Sequence, residues 1–195
     1  MTDPARPRHV DPELFAAPPS ISMRLARPDD AAYIYGLRVD PALNPHLSAP
    51  PPSVEAQRVY LERYRLREDA GQEFYFVIDS KRTGRPCGVV RIYDLQPQSL
   101  SWGSWILDAS KPRLAALESA LFVYDFAFGL LGYGACHFEV RRENTGVISF
   151  HRRFGAEVSS EDEANLYFHL GIDALREKLP GLIATSGYTP LRLRA

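Results

Sequence analysis

The chain has 195 residues, 45% of them hydrophobic, 11% aromatic and 24% charged, which is enough apolar material for one sizeable core. Its 23 basic and 24 acidic side chains leave a formal charge of -1, which removes the general attraction to phosphate backbones behind most nucleic-acid binding. Cys87 and Cys136 stand far apart with no Cys/His cluster, and no apolar run reaches the roughly 20 residues that cross a bilayer, so the expectation is a cytoplasmic chain with reduced thiols, no metal site, no membrane and no nucleic acid.

Residues 1–20 carry Pro4, Pro7, Pro12, Pro18 and Pro19 among scattered charges, a composition expected to form a loose arm. Met23 to Arg27 alternates like a strand, and Pro28-Asp29-Asp30 then opens a helix over Ala31 to Val39. The stretch from Asp40 to Pro52 holds too many breakers for an element, whereas Ser53 can cap a helix over Val54 to Asp69. Three strands follow as a meander, Phe74 to Ile78, Gly88 to Tyr93 and Leu100 to Leu107. Leu114 to Leu131 lacks proline and is apolar on nearly every face, which predicts a buried helix stopped at Gly132. A short strand over His137 to Val140, a short helix over Thr145 to Phe154 and two last strands, Gly155 to Val158 and Ala164 to Leu170, complete the order. The division expected from this is an arm (1–20), one domain (21–179) and a C-terminal tail (180–195).

The junction between the third meander strand and the long helix runs through Asp108-Ala109-Ser110-Lys111-Pro112-Arg113. A helix N-terminus gathers unpaired backbone N–H groups and partial positive charge, so this turn is suited to an anion. Lys111 and Arg113 add formal charge, and Ala115 and Ala116 leave the first turn unshielded; the same two cations also suit a merely solvated turn. Arg141-Arg142 and Arg152-Arg153 form a second small basic cluster, read either as a solvated face or as a contact for a phosphate.

Together, the long helix ending in Tyr124-Asp125-Phe126-Ala127-Phe128 and the later run Asn144, Val147-Ile148, His151 and Gly155 resemble the GNAT superfamily of acetyl-CoA-dependent N-acyltransferases, over about residues 22–170. The resemblance implies an α/β (α+β) fold, a mixed, mostly antiparallel twisted sheet flanked by helices with splayed central strands. It implies that Trp105, Ile106 and Leu107 offer backbone groups to the pantetheine arm of acetyl-CoA and that Ser110, Lys111, Arg113, Leu114, Ala115 and Ala116 hold its pyrophosphate. Asn144 and Phe150 match positions beside the cofactor. His151 stands where many members carry a tyrosine that protonates the leaving thiolate; an ordinary imidazole, with a pKa near 6.5, is partly protonated at neutral pH and could donate. Val147 and Ile148, one helical turn before it, place that ring on or beside the buried face.

One departure is plain. The family's pyrophosphate loop is usually glycine-rich, and Lys111-Pro112-Arg113-Leu114-Ala115-Ala116 contains no glycine. A loop of this kind resembles GNAT proteins that acetylate amino groups on nucleotide-linked sugars. The implied reaction is direct acetyl transfer to a primary amine on a small molecule, with a nucleotide-linked amino sugar first and a protein N-terminus, as in the ribosomal-protein branch, as the alternative. A coenzyme-A-binding module with weakened catalysis is a further alternative. Arg38, Asn44, His46 and Arg91 are the candidates for acceptor binding, and Asp94 or a water for the base. The oligomeric state is not legible; a homodimer is compatible.

Overall fold

The computed structural model describes residues 12–43, 45 and 48–193. Seven strands build one sheet: β1 (Ile21–Leu25), β2 (Phe74–Ser80), β3 (Arg85–Tyr93), β4 (Ser99–Leu107), β5 (Ala135–Arg141), β6 (Glu157–Glu161) and β7 (Asn165–Gly171), in the order β1-β2-β3-β4-β5-β7-β6. Every neighbouring pair is antiparallel except β4 and β5, which run parallel. The expected mixed, mostly antiparallel sheet is the one observed.

Helices cover it unevenly. On one face of the β1 to β4 half, α2 (Ala31–Val39) and α3 (Val54–Asp69) bury Ile34, Leu37, Leu61 and Tyr64 against Tyr75, Val77, Val89 and Ile106. Ser53 caps α3 as expected, its hydroxyl accepting the Ala56 N–H. The opposite face carries the larger core, built on α4 (Ala115–Tyr124), α5 (Thr145–Arg153) and α6 (Ile172–Ser186), together with the short α1 (Pro12–Ala16). The helix expected over 114–131 is α-helical only to Tyr124; Asp125–Leu130 continues it as a π-helix.

Two expectations about the chain ends need correction. The arm is anchored from Pro12 onward, because Leu14 is fully buried and the Glu118 carboxylate on α4 accepts hydrogen bonds from Ser20 N (2.8 Å) and Ser20 Oγ (2.7 Å). The boundary drawn at 179/180 falls inside α6. Pro180 reads as a breaker, yet Leu175, Leu179 and Leu182, spaced at helical intervals, bury a stripe that outweighs one missing N–H. Beyond α6, the Asp125 carboxylate accepts the backbone N–H groups of Leu191, Arg192 and Leu193, and Tyr188 and Leu193 enter the core. The central helix thus clasps both ends of the described chain through buried carboxylates.

The site follows from one detail of register. β4 and β5 pair only at Ser99 with Ala135 and Leu100 with Cys136, then diverge. Beyond that point the β4 edge facing β5 is unpaired.

Candidate active site

The divergence opens a groove of about 350 Å³ lined by β3, β4, β5 and α5. Its floor is aromatic. Trp102 and Phe138 reach it from β4 and β5, and Trp105 closes the side next to α5. At the same place β4 bulges: Val89 pairs with Ile106 and Arg91 with Gly103, so Ser104 and Trp105 together oppose Val90. Ser104 adopts φ +47°, in the left-handed region, and the bulge takes a backbone group out of the ladder at the groove wall. Gly103 keeps room for the hydroxyl of Tyr93, which lies 3.0 Å from where a Cβ would stand.

A second cavity of about 480 Å³ adjoins the groove on the sheet face that carries α2 and α3, but over β5 and β7, beyond those helices. The two share Tyr93, Phe138 and Glu139. Glu139 is exposed and, among the described residues, its carboxylate has no hydrogen bond or ion pair. Strand alternation explains its position, because Phe138 and Val140 point into the core and Glu139 points away. Beside it, His137 Nε2 lies 2.8 Å from Asp94 Oδ2 and His137 Nδ1 lies 2.9 Å from Ser99 Oγ. That bond holds the Asp94 carboxyl below the usual carboxylate range.

The expected residues divide into three groups. Arg91, Trp105, Asn144 and His151 meet in the groove. Asn144 caps α5, its Oδ1 accepting the Val147 N–H at 3.3 Å, which leaves its amide nitrogen without a partner among the described residues. Arg91 reaches the groove from β3 but is ion-paired to the buried Glu73 at 2.7 Å, and its guanidinium stacks on Tyr93 at 4.7 Å. Trp105 is tied to α4 through its Nε1 donating to Ser119 Oγ.

A second group lies at the β4–α4 turn, away from the groove. The Ser110 hydroxyl is absorbed locally, since Asp108 Oδ1 accepts both Ser110 N (2.7 Å) and Ser110 Oγ (2.6 Å), while Tyr33 donates to Asp108 Oδ2 (2.9 Å) and fixes the turn to α2. Lys111 and Arg113 are exposed. Leu114 is the N-cap of α4 and supplies no side-chain cap; the Ala115 N–H donates to the Pro112 carbonyl at 3.0 Å, so the N–H groups of Ala116 and Leu117 are the first-turn donors left for a ligand.

Among the described residues, the remaining candidates do not line the groove. Ile106 sends its side chain into the core under α2 and α3, and Leu107 packs on the opposite core, so only their backbones can serve a ligand. Phe150 stacks between Trp105 (5.1 Å) and Phe154 (5.0 Å), one residue back from the groove wall. Arg38 bonds Ser48 and Ala49 and so pins the connection between α2 and α3. Asn44 and His46 lie outside the described residues.

His151 needs a correction of its chemistry. Its ring packs 4.2 Å from Phe138 and 5.2 Å from Trp102, only 5% exposed, with Nδ1 buried and unbonded. Burial pushes its pKa down to about 3, so the ring is neutral where the expectation had it partly protonated. The sequence reading passed over Glu139 and His137; the alternation of Phe138-Glu139-Val140 was the available signal for the first, and no local signal marks the second. The cysteines stay out of the site. Both are fully buried, and burial pushes the Cys87 thiol up to about 12 and that of Cys136 higher still.

The sequence profile of the Acetyltransferase (GNAT) domain matches residues 21–157. A comparison with curated protein sequences finds no match. Among solved structures, apo FdhC, described as a nucleotide-linked sugar GNAT, is 37% identical, covers 86% of this chain and 96% of its own, and superposes with a TM-score of 0.79. The ribosomal-protein-S5-alanine acetyltransferase of Vibrio fischeri is 16% identical over 78% of this chain and 93% of its own, with a TM-score of 0.69. A spermidine N-acetyltransferase (SpeG) variant of Vibrio cholerae is 14% identical over 82% and 96%, with a TM-score of 0.65; these two share the fold alone. With the profile running across most of the chain and 37% identity to FdhC over 86% of it, the chain belongs to the GNAT acetyltransferase family and is an acyltransferase enzyme.

Proposed function

We propose that the enzyme moves an acetyl group from acetyl-CoA directly to the primary amine of a nucleotide-linked amino sugar. The observation that carries this reading is the groove at the β4 bulge, open between two strands and joined to a second cavity through Glu139. The likeness to FdhC, a nucleotide-linked sugar GNAT, directs the choice of acceptor.

The residues present fit the donor. The unpaired β4 edge can take the amide-bearing pantetheine arm as an added strand. The start of α4, where the Ala116 and Leu117 N–H groups have no side-chain cap and Lys111 and Arg113 stand nearby, can take the pyrophosphate without glycines, and Pro112 removes no helical donor because it precedes the Leu114 N-cap. When bound, acetyl-CoA supplies a thioester carbonyl that an amine can attack. The bulge presents backbone donors to the oxygen of that carbonyl. Glu139, carboxylate free and on both cavities, accepts the proton that the ammonium must lose before attack. His151 enters as a neutral ring lining the groove, and transfer is direct because neither cysteine is available as a nucleophile.

The test is thiol release from acetyl-CoA with nucleotide-linked amino sugars, polyamines and peptides as acceptors. Turnover selective for the sugars, with Glu139→Gln lowering kcat by about 10²–10⁴ and leaving the KM for acetyl-CoA in place, is expected. Turnover of peptides or polyamines alone overturns the acceptor assignment, and an unimpaired Glu139→Gln overturns the base.

A further inference from the structure

The two adjoining cavities differ in chemistry. Arg91 and Arg141 line the groove, whereas among the described residues no lysine or arginine lines the second cavity. It presents instead the carboxylates of Asp94 and Glu139, the hydroxyls of Ser101 and Ser159, and the rings of Tyr93 and Tyr167. Such a wall repels phosphate. Carboxylates accepting from hydroxyls, with aromatic faces to stack on, suit a polyhydroxylated ring carrying an amine.

Asp94 is held in a particular way. Its Oδ2 takes the His137 Nε2 contact at 2.8 Å and accepts from Gln96 Nε2 at 3.2 Å, while Oδ1 has no hydrogen-bond partner among the described residues. His137 is fixed from its other side, with Nδ1 2.9 Å from Ser99 Oγ. An ionised Asp94 carboxylate only accepts, so His137 Nε2 is the donor in that contact. The Ser99–His137–Asp94 chain therefore spends one carboxylate oxygen on position and leaves the other at the cavity wall.

We propose that this second cavity is the subsite for the sugar ring of the acceptor, that Asp94 reads a ring hydroxyl through Oδ1, and that His137 is its positioning residue. The proposal rests on the amino-sugar reading above and adds to it the residues that select the ring. The diphosphate would then lie toward Arg91 in the adjoining groove, with the amine at Glu139.

Calorimetry with UDP-glucosamine and with UDP alone tests it, alongside ¹⁵N signals of the His137 imidazole. UDP-glucosamine, and not UDP, should shift the His137 signals. Asp94→Asn should weaken UDP-glucosamine binding about tenfold or more, the factor carried by one charge-assisted hydrogen bond, with UDP and acetyl-CoA affinities unchanged. His137→Ala should do the same, and His137→Gln, which keeps a donor toward Asp94, should recover most of the loss; a merely structural histidine would lower stability without this split. No binding of UDP-glucosamine, or equal binding by wild type and Asp94→Asn, overturns the subsite. If sugar nucleotides are turned over and Asp94→Asn leaves their KM unchanged, the subsite fails and the amino-sugar reading stands. If UDP-glucosamine binds through Asp94 and no sugar nucleotide releases thiol, the subsite stands and the transfer reading fails.

Discussion

Replacing His151 by Phe separates an acid catalyst from a buried ring. The folded imidazole has a pKa of about 3, so at pH 7 about one ring in 10⁴ is charged, too few for an imidazolium to serve as the working acid. The same shift enters stability. In the unfolded chain the ring binds its proton near pH 6.5, and in the folded chain it does not, so the unfolded state holds more protons across that interval and stability must fall as pH drops. Each pH unit below 6.5 should cost the wild type about 1.4 kcal/mol relative to His151→Phe, hence about 2 kcal/mol at pH 5, or roughly 4–8 °C in Tm for a chain of this size. At pH 7 the variant should be as stable as wild type or more so, by up to about 2 kcal/mol, because the unbonded Nδ1 disappears from the core. Urea melts of both proteins at pH 7, 6, 5 and 4 measure the difference, and kcat at pH 7 should fall no more than about tenfold. Parallel pH dependences, or a kcat loss above about 100-fold together with the disappearance of a titration limb near pH 6–7, would refute the neutral-ring argument.

Two further outcomes follow from other parts of the fold. Asp125→Ala removes the acceptor of three backbone N–H groups at residues 191–193. If the segment stayed in place, three buried donors would each cost about 1–3 kcal/mol, whereas release lets them rehydrate and returns about 1–2 kcal/mol of backbone entropy per residue, so release wins. Hydrogen exchange should show protection lost at Leu191 to Leu193 with a Tm drop of only a few degrees; retained protection with global unfolding would contradict this. At the β4–α4 turn, Lys111→Glu and Arg113→Glu should each weaken coenzyme A binding by about 30-fold at low salt, since reversing one charge near a phosphate costs about 2 kcal/mol in water. The effect should shrink toward 1 M salt and be absent for S-acetylpantetheine, with an equal loss for both ligands counting against phosphate contact.

What could be read in the sequence is what rests on local physics. The caps at Ser53 and Asn144 act on an N–H three residues on, and alternation within β5 and the end of β7 reports which side of one strand is buried. The Asn144 to Gly155 run lies within one short helix and its flanks, so the family resemblance and the groove residues Trp105, Asn144 and His151 were legible. Local signals also misled: the prolines before Ser20 and at Pro180 looked like breakers, because the burial of Leu14, Leu179 and Leu182 that overrides them depends on partners far along the chain.

By itself, then, the sequence determined the elements from β1 to β7 and the order that makes a mixed sheet, but neither α1 nor α6. Only tertiary structure decided which groups meet. Glu118 finds Ser20 at a separation of 98 residues, and Asp94 finds His137 at 43. The β4–β5 pairing stops after two residue pairs, which no pattern within either strand announces, and the groove exists because of it. The protonation of His151 was decided the same way, since its pKa follows from burial among aromatic rings that β4, β5 and β7 bring to it.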